Sequence, residues 1–193
     1  MSYILRKLSE ELIVVLLIGL VSTTTAWTAI QASFHNNASS AAYGDYQLIM
    51  AEANNLWITA EVKYRADLLT WDTGIGGSYE FDLHAKPCIE GVSAPPPFGG
   101  DQLPDCTAYM DAVYGPYNQT FDSGEEPLAL SEREGNYSNR LQVLTGIFAV
   151  ALFALGVTSP MKSRKNASYL VAFAAALWVV GIGLMVTIPV ILL

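Results

Sequence analysis

The sequence predicts an all-α membrane protein, with three transmembrane helices and an exterior helical hairpin capped by an irregular, disulfide-tied segment. Three observations carry that expectation. First, 52% of the 193 residues are hydrophobic and only 15% are charged, with a mean hydropathy of +0.32, a balance found in membrane rather than cytosolic chains. Second, the apolar residues are clumped. Leu12 to Ala32, Leu141 to Val157 and Tyr169 to Leu193 contain no charge, and a membrane-spanning helix needs roughly 20 apolar residues. Third, the basic residues gather at two places and the acidic residues at another.

That asymmetry sets the expected topology. Arg6 and Lys7 precede the first run, and Lys162, Arg164 and Lys165 separate the second from the third. The positive-inside rule puts both clusters in the cytoplasm. Between the first two runs, from His35 to Arg140, five basic residues face sixteen acidic ones, so the net charge of −8 combines a basic inside with a strongly acidic outside. The expected order is a cytoplasmic N-terminus (1–11), a first span (12–34), an extracytoplasmic region (35–141), a second span (142–158), a cytoplasmic turn (159–167) and a third span (168–193). The expected location is a cell membrane, plasma or inner, crossed several times, with residues 35–141 and the C-terminus outside. A charged start, an apolar run and then small residues also describe a cleavable signal peptide; the segment is read here as a retained anchor. An acidic exterior disfavours nucleic acid and anionic lipid and favours cations or basic partners, although solubility is the commoner reason for such charge.

The exterior region divides into three. Asp45 to Asp72 contains no Gly or Pro, and Tyr46, Ile49, Ala53, Trp57, Ala60, Tyr64, Leu68 and Trp71 recur at three-four spacing. This predicts an amphipathic helix over 45–72, ended by Gly74 as a C-terminal cap. Asn36, Asn37 and Gly44 mark a place where it is either continuous with the first span or bent away from it. A second helix is expected over 125–141. Pro127 sits in its first turn, and Glu125 and Glu126 lie at the positive end of its dipole. The expected hairpin packs the Trp57 and Tyr64 seam against Leu128, Leu130 and Tyr137. Residues 73–124 are rich in Gly, Pro, Asp and Tyr and read as an irregular cap, with a short helix starting near Asp105. No internal repeat or heptad array is evident.

Few residues suggest chemistry. Cys88 and Cys106 both fall in the exterior segment, where an oxidising compartment makes a disulfide the simplest reading. Closing that loop would stabilise by about 3 kcal/mol, and the spacing is far from the Cys-x-x-Cys of redox pairs. Asp72-Thr73-Gly74 matches the triplet of aspartic proteases, but that chemistry needs two such loops sharing a proton; a helix end and turn is the simpler account. In an extended strand Glu80, Asp82 and His84 would share one face and form candidate ligands for a divalent metal. No Cys or second His accompanies them at ligand spacing, so no metal is assigned and the strand reads as a solvated edge. His35 reads as a polar residue standing alone at the membrane boundary. No cofactor is implied by any motif.

The spans hold no Asp, Glu, Lys, Arg or His, which argues against a pump or proton-coupled transporter. They do hold small residues that permit close helix contact: Ala26, Ala29 and Ala32, then Ala151 and Ala154, then Ala172 to Ala176, Gly181 and Gly183. Trp178 lies well inside its span, facing a helix partner. Asn37, Asn118 and Asn136 are candidate glycan acceptors on the exterior side; Asn166 has the same motif but lies on the cytoplasmic side.

Two segments, STTTAWTAIQASFHNNASSAAYGDYQLIMAEANNL and EGNYSNRLQVLTGIFAVALFALGV, carry a resemblance. Ala26, Trp27, Gln31 and Ala32 close the first span in an Ala-Trp-x-x-x-Gln-Ala pattern, and Asn136 and Tyr137 lead into a second span with Phe148, Phe153 and Gly156. In these the chain resembles an uncharacterised family of small three-span prokaryotic membrane proteins. The resemblance covers both legs and all spans but not the cap, and it implies no activity. The functional expectation is therefore a non-enzymatic membrane scaffold or accessory subunit, embedded in the lipid bilayer within a homo-oligomer or among other membrane subunits, with no nucleic-acid partner. The rival reading is a channel or transport component, with an acidic vestibule that concentrates cations above a path lined by Thr23, Thr24 and Thr25.

Overall fold

The computed structural model describes residues 2–73, 78, 81–85, 107–158, 161 and 164–191. Among these there is no strand. Helix α1 is Ser2–Thr73, α2 is Thr107–Ser123, α3 is Glu125–Thr158 and α4 is Arg164–Met185, with a single π-helical turn at Phe81–Ala85. Three helical stretches, Glu11–Leu69, Thr107–Thr158 and Lys165–Met185, are each long and apolar enough to cross a membrane. The chain is a helical, multi-pass membrane protein. It divides into a span unit, Met1–Ala41 with Leu130–Leu193, and a hairpin unit, Ala42–Ala129.

In the span unit, contacts fix the helix directions. Along α1 and α3 they run Ser39 to Ser131, His35 to Glu134, Ala32 to Ser138 and Thr28 to Thr145. One number falls as the other rises, so α3 is antiparallel to α1. Helix α4 joins through Trp178, whose indole N–H donates to Thr24 Oγ1 at 3.1 Å. This is the helix partner expected for that residue.

Burial follows a seven-residue step. On α3 Glu134, Leu141, Phe148 and Leu155 are buried at that interval, and so are Leu144, Ala151 and Thr158. On α1 the buried positions Val21, Thr28 and His35 keep the same step. A strict seven-residue repeat is the geometry of helices packed with a slight left-handed supercoil. The expectation that no heptad array exists is thus corrected for burial, if not for apolarity. Thr, His, Ser and Glu fill many of the positions where a coiled coil would place Leu.

Close approach explains part of the small-residue pattern. Ala32, Ala151, Ala154 and Ala174 are buried in the span core. A Cβ on Gly181 would run into the ring of Phe148, itself fully buried. Ala26, Ala29, Ala172, Ala176 and Gly183 are exposed on the helix surfaces instead.

The hairpin unit differs from the one expected. Its partner for α1 is α2, which begins at Thr107, close to the short helix expected from near Asp105, and runs on to Ser123 through what read as an irregular cap. Tyr109 reaches Asp67, Tyr114 reaches Glu61, and Gly124 lies against Met50 and Tyr46, so α2 runs antiparallel to α1. Tyr64 packs against Tyr109 and Tyr114, with ring centroids 6.4 Å apart in each case. Trp57 and Leu130 are exposed, and Tyr137 packs on His35 within the span unit. The predicted Trp57–Leu130–Tyr137 seam is therefore replaced by a Tyr64–Leu68–Tyr109–Val113–Tyr114 cluster around Ala60. Pro116 lies inside α2, where it removes one helical hydrogen bond at a cost of about 3 kcal/mol. Anchoring of Tyr109, Val113 and Tyr114 offsets that local penalty.

At Asn36, Asn37 and Gly44, where the sequence leaves a continuous rod or a bend open, α1 is helical throughout, held on the span side by Ser39 and by the Ala32 carbonyl, which accepts from Ser138. The second leg and the second span form one helix, α3, which begins at Glu125 as its acidic start and Pro127 suggested. The expected span 168–193 starts earlier, at Arg164, and ends at Met185. Beyond it Val186, Thr187 and Ile188 close turns onto Ile182, Leu184 and Met185. Pro189 explains the stop, since it has no N–H and disfavours helix in the residue before it.

Candidate functional site

The ionisable groups that matter are buried, and they form two nodes, one in each unit.

The span-unit node centres on His35, which is 1% exposed. Its Nδ1 lies 2.6 Å from Glu134 Oε2, and its Nε2 lies 3.1 Å from the Pro189 carbonyl oxygen. The Tyr137 ring covers the imidazole at a centroid distance of 5.3 Å. Arg133 Nε stands 3.4 Å from the other Glu134 oxygen. One helical turn earlier on α1, Gln31 grips the chain after Pro189 with both ends of its amide. Gln31 Nε2 donates to the Ile191 carbonyl at 3.1 Å, and Ile191 N–H donates to Gln31 Oε1 at 3.0 Å. Gln31 and His35 together fasten the segment after α4 to α1.

Below this node runs a ladder of hydroxyls. Thr145 donates to Thr28 Oγ1, Thr28 donates to the Thr24 carbonyl, and Thr24 receives the Trp178 N–H. Thr23, Thr24 and Thr25 each donate back to carbonyls of their own helix at Gly19, Leu20 and Val21. Hydroxyls satisfied in this way cost little to keep among apolar neighbours.

The hairpin-unit node centres on Asp67, also 1% exposed. Its carboxylate accepts from Ser78 N–H at 2.9 Å, Ser78 Oγ at 2.7 Å and Tyr109 Oη at 2.8 Å. Nearby, Tyr114 Oη donates to Glu61 Oε2 at 3.0 Å, and Arg65 holds the other oxygen of Glu61 at 2.8 Å. Burial, then the hydrogen bond to Asp67, raises the Tyr109 phenol far above its ordinary range. Burial, then the bond to Glu61, pushes Tyr114 up to about 12. Both tyrosines are neutral donors at any physiological pH. These donors hold the Asp67 carboxylate and tie Ser78 and Tyr109 to α1.

The sequence-derived candidates fare differently. Asp82 and His84 lie in the π-helical turn Phe81–Ala85, where the Asp82 N–H donates to the Ser78 carbonyl. The expected strand is thus corrected to a helical turn, and alternate residues there do not share a face. Glu80, Cys88 and Cys106 lie outside the described residues, so the disulfide and the third candidate ligand are not described. Among the described residues no cluster of three His, Cys, Asp or Glu side chains is placed to hold a metal ion. Asp72 and Thr73 close α1. Asn37, Asn118, Asn136 and Asn166 are all exposed but lie within helices, whereas glycan acceptors favour surface loops.

Sequence reading missed the His35 node. It took His35 as solitary, and Glu134 as one of many exterior acids. A usable signal was present: His35 continues the seven-residue series of Val21 and Thr28, so it faces inward and needs a partner. Of the residues that carry the family resemblance, Gln31, Ala32, Tyr137 and Phe148 fall in this seam, while Ala26, Trp27, Asn136, Phe153 and Gly156 are exposed. No protein family, curated protein or solved structure matches the chain.

Proposed function

We propose that the protein is a non-enzymatic integral membrane scaffold or accessory subunit that works within an oligomer or a larger membrane complex. The observation that carries this reading is an uncovered apolar stripe on α1 in the hairpin unit. Leu48, Ala51, Ile58 and Val62 are exposed on one face at three-four spacing, Leu48 by 72%, with the polar Asn55 between Ala51 and Ile58. Glu52, Glu61, Lys63 and Arg65 interleave with the stripe, so lipid tails are not its cover. Contiguous apolar surface in a polar setting marks a contact with another protein.

The remaining parts of the reading follow from charge and composition. Residues 35–141 face outward as an acidic region, the N-terminus is cytoplasmic, and Cys88 and Cys106 close the segment between α1 and α2. Tied-up threonines in the first span give no support to a conducting path, and the two buried nodes give none to catalysis. Native mass spectrometry from a mild detergent tests the proposal. Oligomers or stoichiometric copurifying membrane subunits are expected; a strict monomer without partners contradicts it.

A further inference from the structure

We propose that His35 and Glu134 form a buried proton-binding site that controls how firmly the segment after α4 is held to α1. A carbonyl oxygen carries no hydrogen, so the 3.1 Å contact with Pro189 requires a proton on His35 Nε2. In a neutral imidazole that leaves a bare lone pair on Nδ1, facing a carboxylate oxygen 2.6 Å away. Two lone pairs repel at that distance, so a second proton lies between Nδ1 and Oε2. Arg133 Nε lies 3.4 Å from Glu134 Oε1, so the carboxylate meets a cation on its other side, and this proton is assigned to the imidazole. The groups facing the ring are thus Glu134, with Arg133 behind it, and the Tyr137 phenol from α3; the Gln31 amide from α1 and the Pro189 carbonyl from the terminal segment complete the node. The stored state is an imidazolium between two acceptors.

Loss of one proton leaves a single N–H for two acceptors. A charged carboxylate is the stronger acceptor, so the remaining proton goes to Nδ1. Nε2 then presents a lone pair to the Pro189 oxygen, and that contact turns from attraction to repulsion. Gln31 still holds Ile191, so the segment loosens around Ile188 and Pro189 rather than detaching. A rise in pH therefore slackens the wall that Ile188, 6% exposed, contributes to the span core.

The test uses the full chain in detergent micelles. Cysteines are introduced singly as Ile188→Cys and as Val190→Cys, the latter at a position already 51% exposed, and each is alkylated with iodoacetamide. A thiol buried at 188 ionises later than one exposed at 190, so the ratio of the two rates is divided by the same ratio measured in chains that also carry Glu134→Gln, which cancels that difference. Across a pH series from about 6 to about 10, the normalised ratio is expected to rise roughly tenfold, equal to about 1.4 kcal/mol. Glu134→Gln supplies an amide N–H to Nδ1 and leaves Nε2–H for Pro189, so it keeps the contact at every pH and serves as that reference. A second measurement needs no cysteine: nitrogen-15 NMR of the imidazole, assigned against His84→Gln. Both His35 ring nitrogens should carry protons at the acid end and only Nδ1 at the alkaline end. A normalised ratio that stays flat, or a singly protonated His35 ring at about pH 6, would overturn the proposal.

Discussion

Among the described residues each unit buries one carboxylate and solves the cost of doing so differently. Asp67 in the hairpin unit is met there by neutral donors, the Ser78 amide and hydroxyl and the Tyr109 phenol. Glu134 in the span unit is met by ionisable nitrogen, from His35 at 2.6 Å and Arg133 at 3.4 Å. Neutral donors hold a carboxylate without giving up a proton themselves until the phenol ionises. An imidazole holds it through a proton that can leave. The first arrangement suits a static tie and the second a tie that responds. Desolvation is the shared problem, since a buried charge without partners costs several kcal/mol.

Unfolding, proteolysis and titration measure the consequences of that contrast. Phe148→Ala empties the centre of the span core and should cost about 3–5 kcal/mol. Thermal unfolding in detergent measures it, and protease protection of the hairpin unit should be less affected than the span unit. Asp67→Ala leaves buried donors from Ser78 and Tyr109 unpaired, at roughly 3 kcal/mol. It should expose the chain around Ser78 and α2 to limited proteolysis while the span unit keeps its melting behaviour. Equal loss in both units would show that the nodes are not separable.

Gly181→Ala pushes a methyl into the Phe148 ring and should cost about 1–3 kcal/mol by overpacking. The same change at Gly183, where nothing lies within 4 Å, should be close to neutral. The smallest effect is alkaline. Tyr109 and Tyr114 ionise later in the folded state than in the unfolded chain, where a phenol titrates near about 10. The stability they contribute is therefore complete below that value and lost as pH rises towards about 12, the value for Tyr114. Ultraviolet titration of phenolate absorbance should show two late groups, one removed by Tyr109→Phe and one by Tyr114→Phe. Loss of the late fraction in neither variant would contradict the hydrogen bonds assigned to Asp67 and Glu61.

Some of this was readable from residues and some was not. The spans announced themselves because Leu12–Ala32 and Leu141–Val157 lack charge altogether, and bilayer insertion depends on little else. The start of α3 was readable from Glu125, Glu126 and Pro127. The start of α2 was legible near Asp105, but its length was hidden because Gly115-Pro116 is a local breaker, which tertiary anchoring by Tyr109, Val113 and Tyr114 overrides. Seam positions were hidden for another reason: Thr28, His35, Ser131 and Ser138 occupy steps where an apolar repeat would put Leu. The His35–Glu134 pair links residues 99 apart in sequence, and no local pattern encodes such a contact. Pro189, by contrast, was in plain view and should have shortened the third helix.

The central claim is that the apolar stripe on α1 meets another protein, and photo-crosslinking in the native membrane tests it most directly. A photoreactive side chain is placed at Leu48 or Val62, and for comparison at Asn54, exposed and about 80° or more round the helix from both. Discrete crosslinked species are expected from Leu48 and Val62, to a second copy or to a membrane subunit, and much weaker ones from Asn54. Uncrosslinked monomer from all three positions would contradict it.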